Sequence, residues 1–86
     1  YYLYAVEAES GKELWKSKLS ATVYWLTISN SVLYFGDKDG VVFALDAEAG
    51  EELWTFKADN AISSEIVIVE GRMFFCTDDG YLYALQ

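Results

Sequence analysis

The sequence repeats itself, and the length of the repeat constrains its fold more than any other feature. Leu3–Lys18 (LYAVEAESGKELWKSK) aligns with Val42–Lys57 (VFALDAEAGEELWTFK) at an offset of 39 residues. Eight of the sixteen positions are identical: Ala5/Ala44, Ala8/Ala47, Glu9/Glu48, Gly11/Gly50, Glu13/Glu52, Leu14/Leu53, Trp15/Trp54 and Lys18/Lys57. Tyr34–Gly40 (YFGDKDG) matches Phe74–Gly80 (FFCTDDG) at an offset of 40. Leu82–Gln86 (LYALQ) begins a third copy, 40 residues after Val42. The one-residue difference between offsets falls between Leu19 and Ser31, most simply in a loop.

Each unit reads as strands. Leu3–Val6, Val41–Leu45 and Tyr81–Leu85 are runs of aliphatic and aromatic residues with high β preference. They are apolar at nearly every position, so both faces are expected to be buried. Asp37-Lys38-Asp39-Gly40 and Thr77-Asp78-Asp79-Gly80 carry hairpin chemistry, Asp holding the turn and Gly taking the positive φ. Glu9-Ser10-Gly11-Lys12 and Glu48-Ala49-Gly50-Glu51 are the next turns, leading into strands Leu14–Lys18 and Leu53–Lys57. Tyr24–Ser29 and Glu65–Val69 follow, then tight turns at Asn30-Ser31 and Glu70-Gly71, then Val32–Gly36 and Met73–Cys76. No ten-residue stretch has apolar spacing of 3.6, and turn signals recur about every 8–12 residues. The fold class is therefore all-β, with antiparallel strands. A unit of about 40 residues has the size of one four-stranded propeller blade, longer than tetratricopeptide or ankyrin units.

Composition removes several functions. The 14 acids outnumber the 6 bases, giving a net charge of -8. Six scattered cations cannot build the basic patch that nucleic acid or an anionic membrane surface requires. No apolar run reaches the ~18 residues of a membrane-spanning helix, so membrane insertion is not expected. No basic start followed by a long apolar stretch is present, so no secretory signal is expected in this chain. It begins at Tyr1 rather than Met, as a processed form or a fragment would. His is absent, which removes the commonest general base and metal ligand. The 3 Trp, 7 Tyr and 5 Phe are a heavy load for a small core, so part of that surface is expected to meet another chain.

Ala5, Glu7, Gly11 and Trp15 share their spacing with Ala44, Asp46, Gly50 and Trp54. Ala is followed two residues on by an acid, Gly four later and Trp four later. This pattern resembles the tryptophan-docking motif of pyrroloquinoline-quinone-type (PQQ-like) β-propeller repeats, with Glu7 standing where Asp is usual. The Gly-His and Trp-Asp pairs of WD repeats and the Gly-Gly pair of kelch repeats do not occur. The resemblance covers essentially the whole chain. It implies blades whose strands are lettered A to D from the propeller axis outward. Tyr24–Ser29 and Glu65–Val69 then resemble A strands, and Val32–Gly36 and Met73–Cys76 resemble B strands. Leu3–Val6, Val41–Leu45 and Tyr81–Leu85 resemble C strands, and Leu14–Lys18 and Leu53–Lys57 resemble D strands. Trp15 and Trp54 are expected to be buried between neighbouring sheets, with Ala leaving room and Gly turning the C–D hairpin.

The implied order is C-D, A-B-C-D, A-B-C, or about two blades. Residues 1–23 form a partial blade, 24–57 a complete one and 58–86 a partial one. A propeller needs ~4–8 blades to close. The chain is thus an incomplete propeller or part of an oligomeric one. Its expected partners are other copies of itself, the remaining blades of a larger propeller, or another protein. Joining A-B of one copy to C-D of the next leaves one C strand over, a redundancy that favours the fragment reading.

Little in the sequence carries chemistry. The resemblance implies that family dehydrogenases hold their quinone between a Trp and a vicinal Cys-Cys disulfide, with calcium and a basic Asp. The chain has 1 Cys, and no ligand of that cofactor can be carried over. No cofactor, metal or catalytic residue is therefore expected, and the chain is not expected to be an enzyme. A fragment of a quinoprotein dehydrogenase is the alternative. Asp37-x-Asp39-Gly40 invites a calcium-loop reading, but the apolar Val41–Ala44 follows where oxygen ligands would be needed. Cys76 stands where the first copy has Gly36 and is expected to be a buried, unreactive thiol. Tyr24 and Trp25 begin an A strand, and Trp25 aligns with Glu65, so the repeat does not require it. Trp25 reads either as a local packing residue or as an interface anchor. Strand alternation puts the D–A and B–C loops at one end, gathering Asp37, Asp39, Asp59, Asp78 and Asp79. That end reads as a solvated rim or as a face for cationic or neutral polar partners. The resemblance also implies a periplasmic or cell-surface setting.

Overall fold

A computed structural model describes residues 1–23 and 25–86. Among the described residues it holds nine strands and no helix. They are β1 (Tyr2–Val6), β2 (Glu13–Lys18), β3 (Thr27–Ser29), β4 (Val32–Gly36), β5 (Val41–Asp46), β6 (Glu52–Lys57), β7 (Val67–Val69), β8 (Arg72–Cys76) and β9 (Leu82–Leu85). They form three antiparallel sheets in the orders β1-β2, β3-β4-β5-β6 and β7-β8-β9. These are propeller blades, one of four strands flanked by two partial ones.

Turn chemistry sets the hairpins. Asn30 and Ser31 both take positive φ (51° and 63°), as do Glu70 and Gly71 (49° and 77°). Two consecutive left-handed residues give the two-residue turn whose twist matches the flanking strands. Both C–D ladders slip at the same place, between Ala5 and Val6 and between Ala44 and Leu45. In each, Ala faces the motif tryptophan across the ladder: Ala5 opposite Trp15 and Ala44 opposite Trp54. The extra residue of each bulge, Leu14 or Leu53, lies just before that tryptophan.

The A strands are shorter than the sequence suggests. The expected strand 24–29 is observed as Thr27–Ser29, Tyr24 lying outside the described residues, and the expected Glu65–Val69 as Val67–Val69. Ahead of β7 the pairing is done differently. Ile62 bridges Thr77, and the Ser64 hydroxyl accepts the Cys76 N–H at 2.8 Å, replacing a ladder bond. The other strands fall within a residue of their expected limits.

The C strands also differ from expectation. Only β5 is covered on both faces; β1 and β9 alternate between exposed and half-buried residues. Blades flank β5 on either side, whereas β1 and β9 each have one neighbouring blade. The main core lies between the second and third blades. Val42 and Ala58 pack there with Ile62, Ile66, Met73 and Phe75. Phe75 stacks on Tyr83 with centroids 5.1 Å apart.

Candidate functional site

The contact between the first two blades is built around Trp15. Its indole N–H donates to the Ala47 carbonyl at 2.9 Å. Its ring lies over Gly50, where a Cβ would fall 2.6 Å from the ring. Gly50 is therefore required twice, by its φ of 74° and by the indole above it. Trp15 is partly buried as a result.

Trp54 corrects the expectation of burial. It is 41% exposed, with no C–D turn opposite it among the described residues. A groove of about 830 Å³ opens beside it instead, lined by Tyr34, Trp54, Arg72, Met73 and Leu85. The mirror situation holds at Gly11. Its φ is 75°, as in Gly50, but nothing lies within 4 Å of an added Cβ. A smaller cleft of about 240 Å³ opens between the first two blades, where Leu26 lies. Leu26 is 52% exposed while its repeat counterpart Ile66 is 3% exposed.

The D–A and B–C loops meet at one end. Residues 58–62 are tied to both neighbouring blades. Ile62 N–H donates to the Asp37 carbonyl at 3.0 Å and Ala58 N–H to the Gly40 carbonyl at 2.7 Å. Asp78 N–H donates to the Ala61 carbonyl at 3.0 Å. Asp39, Asp59, Asp78 and Asp79 are exposed on this end. The Lys57 ammonium lies among them, donating to the Asp39 carbonyl at 2.6 Å.

Asp37 does not belong to that exposed face. It is 2% exposed, and its carboxylate accepts the N–H groups of Asp39 and Val41, both at 3.0 Å. It is a structural turn holder. Trp25 is 51% exposed. Tyr24, its expected partner, lies outside the described residues. Cys76 is a free thiol and half-buried, rather than fully buried as expected. At Gly36, its repeat counterpart, Ile62 from the following blade would lie 2.5 Å from a Cβ.

Among the described residues, no group of three or more His, Cys, Asp or Glu is placed to hold a metal. No helix among them is long and apolar enough to cross a membrane. The open halves at Gly11, Leu26 and Trp54 were not singled out as open by the sequence. Their signal is a comparison between repeats, since each has a covered counterpart.

Over residues 2–86 the sequence matches the family model described as outer membrane protein assembly factor BamB. The chain belongs to this PQQ-like repeat family. The family chain also superposes on the crystal structure of BamB from Moraxella catarrhalis with a TM-score of 0.84 at 19% identity, covering 99% of this chain and 26% of that one. It superposes on the computationally designed Ika4 protein with a TM-score of 0.81 at 16% identity, covering 93% of this chain and 51% of that one. At these identities the likeness is one of fold. The BamB-family chain spans about a quarter of the first structure and about half of the second. No curated relative matches the sequence.

Proposed function

We propose that this chain is a non-catalytic β-propeller module that serves as a scaffold for protein interaction and assembly. The observation that carries this is the match, over residues 2–86, to a family described by an assembly factor. The structural docking set is Ala5, Glu7, Gly11 and Trp15 with Ala44, Asp46, Gly50 and Trp54. Its partial outer blades are completed by the remaining blades of a larger propeller or by other copies of the chain joined head to tail. The loop end offers a second surface. Asp39, Asp59, Asp78 and Asp79 line it, with Asp37 holding its turn from beneath. Acidic loops of this kind suit cationic or neutral polar partners. Trp25 is the aromatic anchor on the exposed start of the second blade. The setting is periplasmic or cell-surface, by likeness to the family.

Titration with pyrroloquinoline quinone and Ca²⁺, followed by gel filtration, tests the reading. The expected result is that no quinone chromophore travels with the protein. Stoichiometric co-elution would overturn it in favour of a quinoprotein fragment.

A further inference from the structure

We infer that the loop end is one coupled unit, in which the B–C turn of the second blade is linked to that of the third through peptide groups hydrogen-bonded in series. Lys38 N–H donates to the Thr22 carbonyl at 3.2 Å, Ile62 N–H to the Asp37 carbonyl at 3.0 Å and Asp78 N–H to the Ala61 carbonyl at 3.0 Å. The Asp37 carbonyl and the Lys38 N–H belong to one peptide group. So do the Ala61 carbonyl and the Ile62 N–H. Each of these groups therefore accepts on one side and donates on the other. The series runs from Thr22 through both groups to Asp78, and every N–H in it donates to an earlier residue. Peptide dipoles in series polarise one another, which strengthens each bond by about 10–30%. Weakening one member therefore weakens the next.

The repeat supplies the steps within blades. Val23 bridges Asp37 and Ile62 bridges Thr77, each setting the start of an A strand against the end of its B strand. The step between blades, from Ile62 to Asp37, is held from several sides. The buried Asp37 carboxylate accepts the N–H groups of Asp39 and Val41, so its peptide cannot tilt without losing them. The Gly40 carbonyl accepts Ala58 N–H at 2.7 Å. A Cβ at Gly40 would fall 2.6 Å from the Asn60 carbonyl oxygen and 3.0 Å from that of Ala58. Turn and connector thus touch backbone to backbone, with no side chain between them to yield. The Lys57 ammonium straps the contact, donating to the Asp39 carbonyl at 2.6 Å and the Ala58 carbonyl at 3.2 Å.

The consequence is directional. Asp39 stands on the first turn, and Asp78 and Asp79 on the second. A contact that displaces the first turn moves the Asp37 carbonyl, loosens the Ile62 bond and tilts the Ala61 carbonyl from which Asp78 N–H hangs. The two turns open together, as one local unit, rather than as separate loops. The Ala47 N–H is a reference outside the series: it bonds the Ser31 carbonyl at 3.0 Å, in the same second blade but at its opposite end.

Amide hydrogen exchange, followed residue by residue by NMR on the full chain, tests the inference. Gly40→Ala pushes the connector off the turn. The expected result is severalfold faster exchange at Ile62 and, one bond further on, at Lys38 and Asp78, with Ala47 unchanged. Lys57→Met keeps the methylene stem and removes the ammonium that straps Asp39 to Ala58. It should give the same pattern at smaller size, and it decides the matter alone if Gly40→Ala does not fold. Faster exchange at Ile62 with Lys38 and Asp78 at their wild-type rates overturns the inference, because the effect then stops at the first bond. An equal rise at Ala47 also overturns it, since the whole chain would then have lost stability. Unchanged exchange at all four amides does the same.

Discussion

Gly50 and Gly11 offer a controlled measurement of what an indole over a turn contributes. Their φ angles are 74° and 75°, so Ala at either site meets the same backbone strain, about 1–2 kcal/mol. They differ in surroundings. At Gly50 the new methyl would fall 2.6 Å from the Trp15 ring, whereas at Gly11 it meets nothing within 4 Å. Forcing a methyl into a packed contact costs about 1–3 kcal/mol more. Gly50→Ala should therefore lose about 2–5 kcal/mol and Gly11→Ala only the first part, about 1–2 kcal/mol. Urea unfolding of both variants, at a dilution where each is a single copy, reads the difference. With a slope of ~1–3 kcal/mol per molar urea, the midpoints should separate by roughly 1 M. Adding Trp15→Ala to the Gly50→Ala chain removes the clash. Its cost in that background should then fall well below its cost in the wild type, since contacting residues couple by about 0.5–3 kcal/mol. Equal midpoints for the two glycine variants would show that the Trp15 ring does not press on Gly50, and the docking geometry would fall with it.

Other substitutions separate covered from open positions. Ile66→Ala should cost about 2–5 kcal/mol by thermal or urea melting, while Leu26→Ala at the equivalent open site should cost well under half of that in the single copy. Ile62→Ala should also lose about 2–5 kcal/mol, because Ile62 fills the space over Gly36 at the junction of two blades. Asp37→Ala should lose about 1–3 kcal/mol by leaving the N–H groups of Asp39 and Val41 without their carboxylate acceptor, whereas Asp39→Ala, at the exposed neighbour, should change the melting curve little.

Much of the fold is legible because the repeat reports each position twice. The turn glycines, the C–D hairpins and the strand order all follow from comparing residues 3–18 with 42–57. The A strands are less legible because side chains replace part of their ladder. The Ser64 hydroxyl takes the Cys76 N–H, and no spacing of apolar residues announces that. The docking site is half legible for a different reason. Trp15 and Trp54 share the same motif, Glu-Leu-Trp with Gly four residues before the Trp. What separates them is whether a turn lies opposite, which is a property of the neighbouring blade and not of the motif.

Asp37 and Thr77 show which departures from the repeat the fold absorbs. They occupy equivalent places, and both are buried. In the first turn the Asp37 carboxylate accepts the N–H groups of Asp39 and Val41. In the second, the Thr77 hydroxyl bonds the Asp79 carboxylate, and the backbone still closes from Gly80 N–H to the Thr77 carbonyl at 3.1 Å. The turn survives because an oxygen of either kind can order it, so the substitution carries no functional weight. Gly36 lies under Ile62, which leaves no room for a Cβ there, whereas Cys76 is half-buried. Trp25 and Glu65 fit neither explanation. Both are exposed, so no burial or turn bond demands an indole at one and a carboxylate at the other. An indole 51% open to water is costly surface for the isolated chain to keep. Nothing in the structure explains why the repeat carries an indole at Trp25 and a carboxylate at Glu65.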